Sequence, residues 1–451
     1  MDTNATARWA LEQEARALLT RLGRVRPFAL QETMLPAASL SPAAQIAIER
    51  FLIGNRYRLR QEVISYLRWL RDTGGSTPAA EMQRRFTIVR LRFNDVLTQF
   101  DLFSEVVTQR SEHDTGVWLA GLDALAADAM ALPATGPGGP DAQPEAVCYL
   151  ARGPGAAVRR ARTRLPGGGL NPVAIIRVPR ERMVGHGIAS SLVHEVGHQV
   201  AALLGLVESV RPALWAQQQA AGAAERAAWD SWYRWVSEAL ADAWASSRLG
   251  IGSTLGLMSV VGLPAWYVFR ANTDDVHPTP WIRVKLSCAL GDALYPHRQW
   301  RELADLWAAL YPPDGLDPAP RQQLAAVEAT VPRFVALLLG HRPPSLNGRA
   351  LGDVMVLAER EPARLAHLWR ACRAGEIRLH DLAPSLAFAV LGQARATDAL
   401  SPEKESRLVE DLLTYWALRR ALTVTEVPAA PALPAAARAP SASRPDASIN
   451  R

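Results

Sequence analysis

The chain has 451 residues with a formal net charge of +6, and 49% of them are hydrophobic and 21% charged. This balance is typical of a globular protein with a sizeable core, and it excludes a fibrous or largely disordered chain. Lys285 and Lys404 are the only lysines, and the many arginines are spread along the sequence. Because no basic patch stands out, we expect no nucleic-acid partner.

The cysteines and the apolar segments indicate in which cellular compartment the protein is expected. Cys148, Cys288 and Cys372 are few and far apart, so they predict no disulfide framework. The amino terminus is polar and lacks the apolar segment of a secretory signal. The longest apolar stretches are short or broken by glycine and proline, which predicts no membrane span. We therefore expect a cytoplasmic protein.

The first part of the chain, residues 1–132, has apolar residues at helical spacing and predicts a helical N-terminal region. Ser41-Pro42 and Thr77-Pro78 are helix-start signals, because a hydroxyl side chain can cap a helix whose first residue is proline. A cluster of proline and glycine predicts a linker at 133–145.

Two short segments after the linker predict strands. Ala146–Leu150 is apolar, and Val173–Val178 is rich in β-branched residues and bounded by proline on both sides. The latter strand lies just upstream of the apolar segment Ile188–Leu204, which is predicted to form a helix. The sequence thus predicts a small sheet within an otherwise helical chain.

The segment Ile188–Leu204 contains His194-Glu195-x-x-His198. On a helix, His194 and His198 lie one turn apart on the same face, so their imidazoles can bind one Zn²⁺. Glu195 is then placed to act as the general base that takes a proton from the attacking water. His186, which precedes the helix, is interpreted as a loop residue.

A catalytic zinc site needs a third protein ligand, and Glu238 is the best candidate. It lies on a predicted helix downstream of His198, among small residues that allow close helix packing. Asp242 follows one turn later and can accept the outer N–H of a ligand histidine, which fixes the orientation of that ring. Further acidic residues remain as alternative ligands: Glu208, Glu225 and Asp230.

Together, His194-Glu195-x-x-His198 and Glu238-x-x-x-Asp242 resemble the gluzincin zinc metallopeptidases. His277-Pro278 with Arg283 resembles the branch that contains the prenyl-protein-processing and HtpX-like peptidases. The resemblance covers about residues 173–295. It implies that His277 helps to hold the oxyanion, and that Arg283 orients the metal-site carboxylates or the substrate. It also implies that the strand Val173–Val178 forms the rim of the cleft and pairs with extended substrate, and the alternative is an ordinary buried strand.

The sequence departs from that branch in two respects. It lacks predicted membrane spans, and a Trp-rich helical insertion at 206–237 separates His198 from Glu238. Membrane substrates and prenylated peptides therefore do not carry over, and whether the insertion gates the cleft stays open.

We predict a mainly α (α+β) fold with a gluzincin-like metallopeptidase core and a small sheet at 146–299, flanked by helical regions. The C-terminal region, 300–426, contains predicted helices and precedes a disordered tail at 427–451: Leu303–Leu310, Gln322–Leu339, Leu351–Trp369, Leu382–Leu391 and Glu403–Leu422. The predicted function is hydrolysis of a protein or peptide substrate with one Zn²⁺. The alternatives are a zinc-binding, non-hydrolytic scaffold whose helical regions bind a protein partner, and a helical adaptor or nucleic-acid binder without metal.

Overall fold

A computed structural model of the chain describes residues 3–30, 32–73, 77–132, 144–153, 155–165, 169–180, 185–270 and 275–426. The predicted tail, 427–451, and all of the predicted linker except residues 144 and 145 lie outside the described residues. The fold is mainly helical with one small three-stranded sheet, as the sequence predicts.

Three long helices form the first part of the fold: α1 (Thr3–Arg24), α2 (Pro42–Asp72) and α3 (Ala79–Thr108). The predicted start of α2 is confirmed, since the Ser41 Oγ accepts a hydrogen bond from the Ala44 N–H at 3.0 Å and Pro42 is the first helical residue. These helices pack around their own apolar cluster, which includes Leu18, Ile48 and Phe103.

The remaining helices share a second, larger apolar core. They are α4 (His113–Met130), α5 (Gly187–Leu203), α6 (Leu206–Ala220), α7 (Ala223–Leu249), α8 (Ile251–Val261), α9 (Ala265–Val268), α10 (Pro280–Leu294), α11 (Gln299–Leu310), α12 (Pro318–Gly340), α13 (Leu351–Met355), α14 (Pro362–Ala374), α15 (Pro384–Ala396) and α16 (Pro402–Glu426). Although α4 precedes the sheet in sequence, it packs against α5 and α16. The helices after residue 300 therefore belong to the same core as the metal-motif helix α5.

The sheet lies between the two cores. Its strands are β1 (Ala146–Ala151), β2 (Ala157–Arg159) and β3 (Ala174–Pro179), in the order β1-β3-β2, with β1 parallel and β2 antiparallel to β3. Side chains alternate between its faces, so that Tyr149 belongs to the smaller core and Cys148 to the larger one.

The two predicted strands are observed as β1 and β3. Of the two interpretations of Val173–Val178, pairing with an extended substrate is wrong, because β3 is hydrogen-bonded on both sides, and the alternative of an ordinary buried strand is confirmed. The edge that faces the cleft belongs to β2, whose three residues are too few to leave a clear pattern in the sequence.

One predicted C-terminal helix is also wrong. The segment Leu351–Trp369 forms two helices, α13 and α14, which are separated by a turn of 3-10 helix at Ala358–Arg360. Pro362 begins α14 and lacks an N–H, and its ring favours an extended conformation at Glu361, where φ is −58° and ψ is 135°.

Within the described residues, one helix is long and apolar enough to cross a membrane by length and composition, namely α12. Of its apolar window, 39% is buried. Phe334 of α12 stacks on Trp232 of α7 with a centroid separation of 4.3 Å, so this helix packs on the larger core. The absence of a membrane span stays a prediction.

Candidate metal centre

The site is formed where α5 and α7 approach each other closely. Gly197 lies within the His-Glu-x-x-His motif, and a Cβ placed on it would be 2.8 Å from the Cα of Ala241. Only two very small residues allow such an approach of the helix backbones. The small residues that flank Glu238 in sequence thus bring the carboxylate of Glu238 to the two histidines.

His194, His198 and Glu238 converge as the sequence predicts. One ligand atom from each lies within 4.8 Å of the other two. The Nε2 of His194 is 3.3 Å from the Oε2 of Glu238, and the Nε2 of His198 is 3.2 Å from its Oε1. Two imidazoles and one carboxylate facing a common point could hold a metal ion.

Glu238 itself fits a cation. Its side chain is buried, and its Oε2 makes no hydrogen bond within the described part of the chain, although the Arg283 Nη2 lies 3.1 Å away out of hydrogen-bonding alignment. Burial raises the pKa of Glu238, but the adjacent rings of His194 and His198 and the charge of Arg283 lower it by more, so that the pKa lies well below its usual range. The carboxylate is therefore ionised, and its Oε2 accepts no hydrogen bond from the described residues.

Asp242 and Arg283 form a second layer around the triad. The Asp242 Oδ1 is 2.8 Å from the Nδ1 of His194, which is the contact predicted for the outer nitrogen of a ligand histidine. Arg283 donates to both carboxylate oxygens of Asp242, at 2.7 and 2.9 Å. Of the two implied roles of Arg283, its contacts match orientation of the metal-site carboxylates.

The charges of this layer act on His194. Burial alone lowers the pKa of His194, but the carboxylate of Asp242, with a further contribution from Glu238, raises it to about 10. Burial raises the pKa of Asp242, and the opposing charges of Arg283 and His194 bring it down to about 2. In the metal-free protein a proton on His194 therefore competes with any metal ion for the ring.

A cleft of about 600 Å³ opens above the triad. Its walls come from β2, β3, α5, α7, α8 and α10, and Glu195 lines it beside the two histidines. The side chain of Glu195 is buried, and its charge helps to hold the pKa of Arg283 above its usual range, against the effect of burial and secondary to Asp242. The predicted base thus lies at the triad, in a cavity of the size that binds small ligands and peptide segments.

His277 lines the cleft opposite α5. Its Nε2 is 3.8 Å from the Oε1 of Glu238, and its Nδ1 is 2.7 Å from the Oδ1 of Asp275, which also accepts the backbone N–H of His277. When the Nδ1 donates its proton to Asp275, the Nε2 carries a proton only in the imidazolium form. The implied oxyanion role therefore requires a charged His277.

The alternative ligands lie elsewhere. The half-exposed side chains of Asp230 and Glu225 are paired with arginines, and Glu208 is exposed on α6. His186 is outside the triad, as predicted, because its Nδ1 contacts the Oε1 of Glu405 at 2.6 Å.

Two contacts at the site were missed by sequence reasoning. The Ser237 hydroxyl is 3.3 Å from the Nδ1 of His198, the outer nitrogen of the second imidazole. Its position immediately before Glu238 was an available signal. Asp275, which holds His277, is two residues before that histidine and could likewise have been proposed from the spacing.

The Trp-rich insertion packs into the larger core. Trp229, Trp232 and Trp235 are buried in the larger core, and the Trp232 Nε1–H donates to the Thr330 Oγ1 of α12 at 2.8 Å. Within the described residues, the insertion contributes only Ser237 to the lining of the cleft.

Comparison of the chain with protein-family models, with curated proteins and with solved structures gives no match. The interpretation of the site therefore depends on its own residues and geometry.

Proposed function

We propose that this chain is a zinc-dependent metallopeptidase with a gluzincin-like core that hydrolyses peptide bonds in a protein or peptide substrate. The observation that carries the proposal is the convergence of His194, His198 and Glu238 at the floor of an open cleft, with Glu195 beside them. Zinc is the metal of choice because two imidazoles and one carboxylate are a common donor set of catalytic zinc sites.

A zinc ion held by these three residues would supply a Lewis acid that activates water and polarises the scissile carbonyl. Glu195 takes the proton of the attacking water as its oxygen adds to the carbonyl carbon. The same carboxyl then delivers this proton to the amide nitrogen as the C–N bond breaks. This assignment accounts for a carboxylate that lines the cleft beside the triad.

The surrounding residues have supporting roles. Asp242 accepts the Nδ1–H of His194 and so directs the opposite nitrogen toward Glu238. Arg283 holds Asp242 in place. The imidazolium of His277, with its Nδ1 bound to Asp275, donates its Nε2–H to the developing oxyanion. The edge of β2 that has no strand partner among the described residues lies along the cleft, where an extended substrate can add as a further strand.

The test combines metal analysis with turnover. Purified wild-type protein is expected to contain one zinc per chain and to cleave a peptide library, and a chelator should block cleavage. Glu195→Gln should keep the zinc and lose roughly 10²–10⁴-fold in rate, the usual contribution of a general base. His194→Ala should lose the metal, and Glu208→Gln, at an exposed position on α6, is the matched control.

Each outcome decides between functions. Equal turnover by Glu195→Gln and wild type would show that the base is assigned wrongly. Zinc binding without chelator-sensitive turnover would favour the alternative of a non-hydrolytic scaffold. A wild-type protein that takes up no zinc would rule out both.

A further inference from the structure

Arginine side chains surround the cleft, and they come from different parts of the fold: Arg160, Arg177, Arg270 and Arg283. Two of these have acidic partners. Arg283 is paired with Asp242 and Glu238, and the Nη2 of Arg270 is 3.1 Å from the Oδ2 of Asp275. Their charges are therefore balanced within the protein.

Arg160 and Arg177 differ from that pair. Neither forms an ion pair within the described ranges of the chain, and both lie on the wall of the cleft that carries the sheet. The backbone of Arg177 is held between Tyr149 of β1 and Ala157 of β2, and its guanidinium lies beside Gly153. Its Nε is buried and has no hydrogen-bond partner in that part of the chain.

The net charge of the cleft follows from adding the charges of its buried side chains. Glu195, Glu238 and Asp242 bring three negative charges to the cleft, and Arg283 offsets one of them. A bound Zn²⁺ would offset the other two. The metal-loaded centre would then be neutral, and Arg160 and Arg177, which have no ion-pair partner among the described residues, would give the sheet wall of the cleft a net positive charge.

We infer that Arg160 and Arg177 bind a carboxylate of the substrate, so that the enzyme selects acidic peptides. This inference rests on the proposed peptidase function. A guanidinium with an unsatisfied buried donor gains most from an anion that can accept two hydrogen bonds, and a carboxylate has this geometry. The carboxylate belongs to an Asp or Glu side chain near the scissile bond, or to the C-terminus of the peptide. In both cases the arginines recognise the same chemical group, a carboxylate.

Matched peptide pairs test the inference. Quenched-fluorescence peptides carry Glu or Gln at each position around one cleavage point, and each sequence is also made with a free or an amidated C-terminus. Wild type is expected to favour one carboxylate-bearing member by roughly 10- to 100-fold in kcat/KM, the range for a hydrogen bond to a charged group. The position or terminus that gives this preference identifies the source of the carboxylate.

The variants connect that preference to the two arginines. Arg177→Gln combined with Arg160→Gln should reduce the ratio to about one-fold, while zinc content and thermal midpoint stay at the wild-type values. Arg177→Glu should shift the preference toward peptides with Lys at the same position. Arg159→Gln is the control, because this neighbouring arginine of β2 is exposed and does not line the cleft.

A binding measurement separates this inference from the proposed function. The zinc-loaded Glu195→Gln variant is titrated with the labelled peptides, and the same preference should appear in Kd. Hydrolysis by wild type without discrimination in either measurement would overturn the carboxylate site and leave the peptidase intact. If wild type hydrolyses no peptide, the peptidase proposal fails, and the arginine dependence of Kd still decides the carboxylate site.

Discussion

Asp242→Asn is the substitution that tests the construction of the metal centre most directly. Asp242 accepts from the Nδ1 of His194 at 2.8 Å and from Arg283 at 2.7 and 2.9 Å. Asparagine keeps the size of the side chain but removes its negative charge. The Nη2 of Arg283 lies 3.1 Å from the Oε2 of Glu238, so the substitution leaves an unbalanced buried cation beside a metal ligand.

Two effects of Asp242→Asn determine how far zinc affinity should fall. An outer hydrogen-bond partner of a ligand histidine contributes about 10- to 100-fold to metal affinity. The freed guanidinium adds repulsion toward Zn²⁺ in a poorly solvated site. We therefore expect zinc affinity to fall by about 100-fold, at the upper end of that range, which is roughly 2.7 kcal/mol.

Competition for zinc with a chromophoric chelator measures this change. Asp230→Asn is the control, because Asp230 is on the same helix but pairs with Arg234 at a half-exposed position away from the triad. The double variant Asp242→Asn with Arg283→Gln removes both charges, so it should bind zinc more tightly than Asp242→Asn alone. An Asp242→Asn protein with wild-type affinity, or a double variant weaker than the single one, would contradict the proposed electrostatics.

Packing and thiol burial give further predictions. Gly197→Ala should lower the free energy of unfolding by about 1–3 kcal/mol, as overpacking does, whereas Gly54→Ala, at an open helical position, should be neutral or stabilising in thermal melts. A thiol reagent should label Cys372 in the native protein but reach Cys148 and Cys288 only after denaturation. Burial raises the pKa of Cys288 to about 12 from the ordinary 9, so its contribution to stability, complete below pH 9, should decline from pH 9 to 12 in urea titrations.

The parts of the site that sequence reasoning predicted depend on local geometry. His194 and His198 share a helix face because their spacing matches one turn. Glu238 and Asp242 repeat that spacing, and the small residues around Glu238 indicate close helix packing. Gly197 and Ala241 show that this packing is the physical cause of the convergence.

The parts that were missed or wrong depend on long-range contacts. β-Branched residues and the flanking prolines predict β3 as a strand, but its central place depends on β2, which has only three residues. Likewise, the pattern of an arginine on a strand does not show whether its guanidinium meets a carboxylate or faces a cleft. Arg177 could be distinguished from the other arginines only once the surroundings of its guanidinium were known, where the buried Nε has no hydrogen-bond partner among the described residues.

The proposed dication at the triad would also account for the electrostatics of the site. Glu195, Glu238 and Asp242 are buried close together, and among the described residues Arg283 is the arginine that pairs with Glu238 and Asp242. Burial of excess negative charge is costly unless a cation compensates it. In the metal-free chain a proton on His194 gives part of this compensation, which is why the pKa of His194 rises to about 10 against the effect of its own burial. A divalent ion at the triad would compensate fully, because it would supply the second positive charge that one proton lacks.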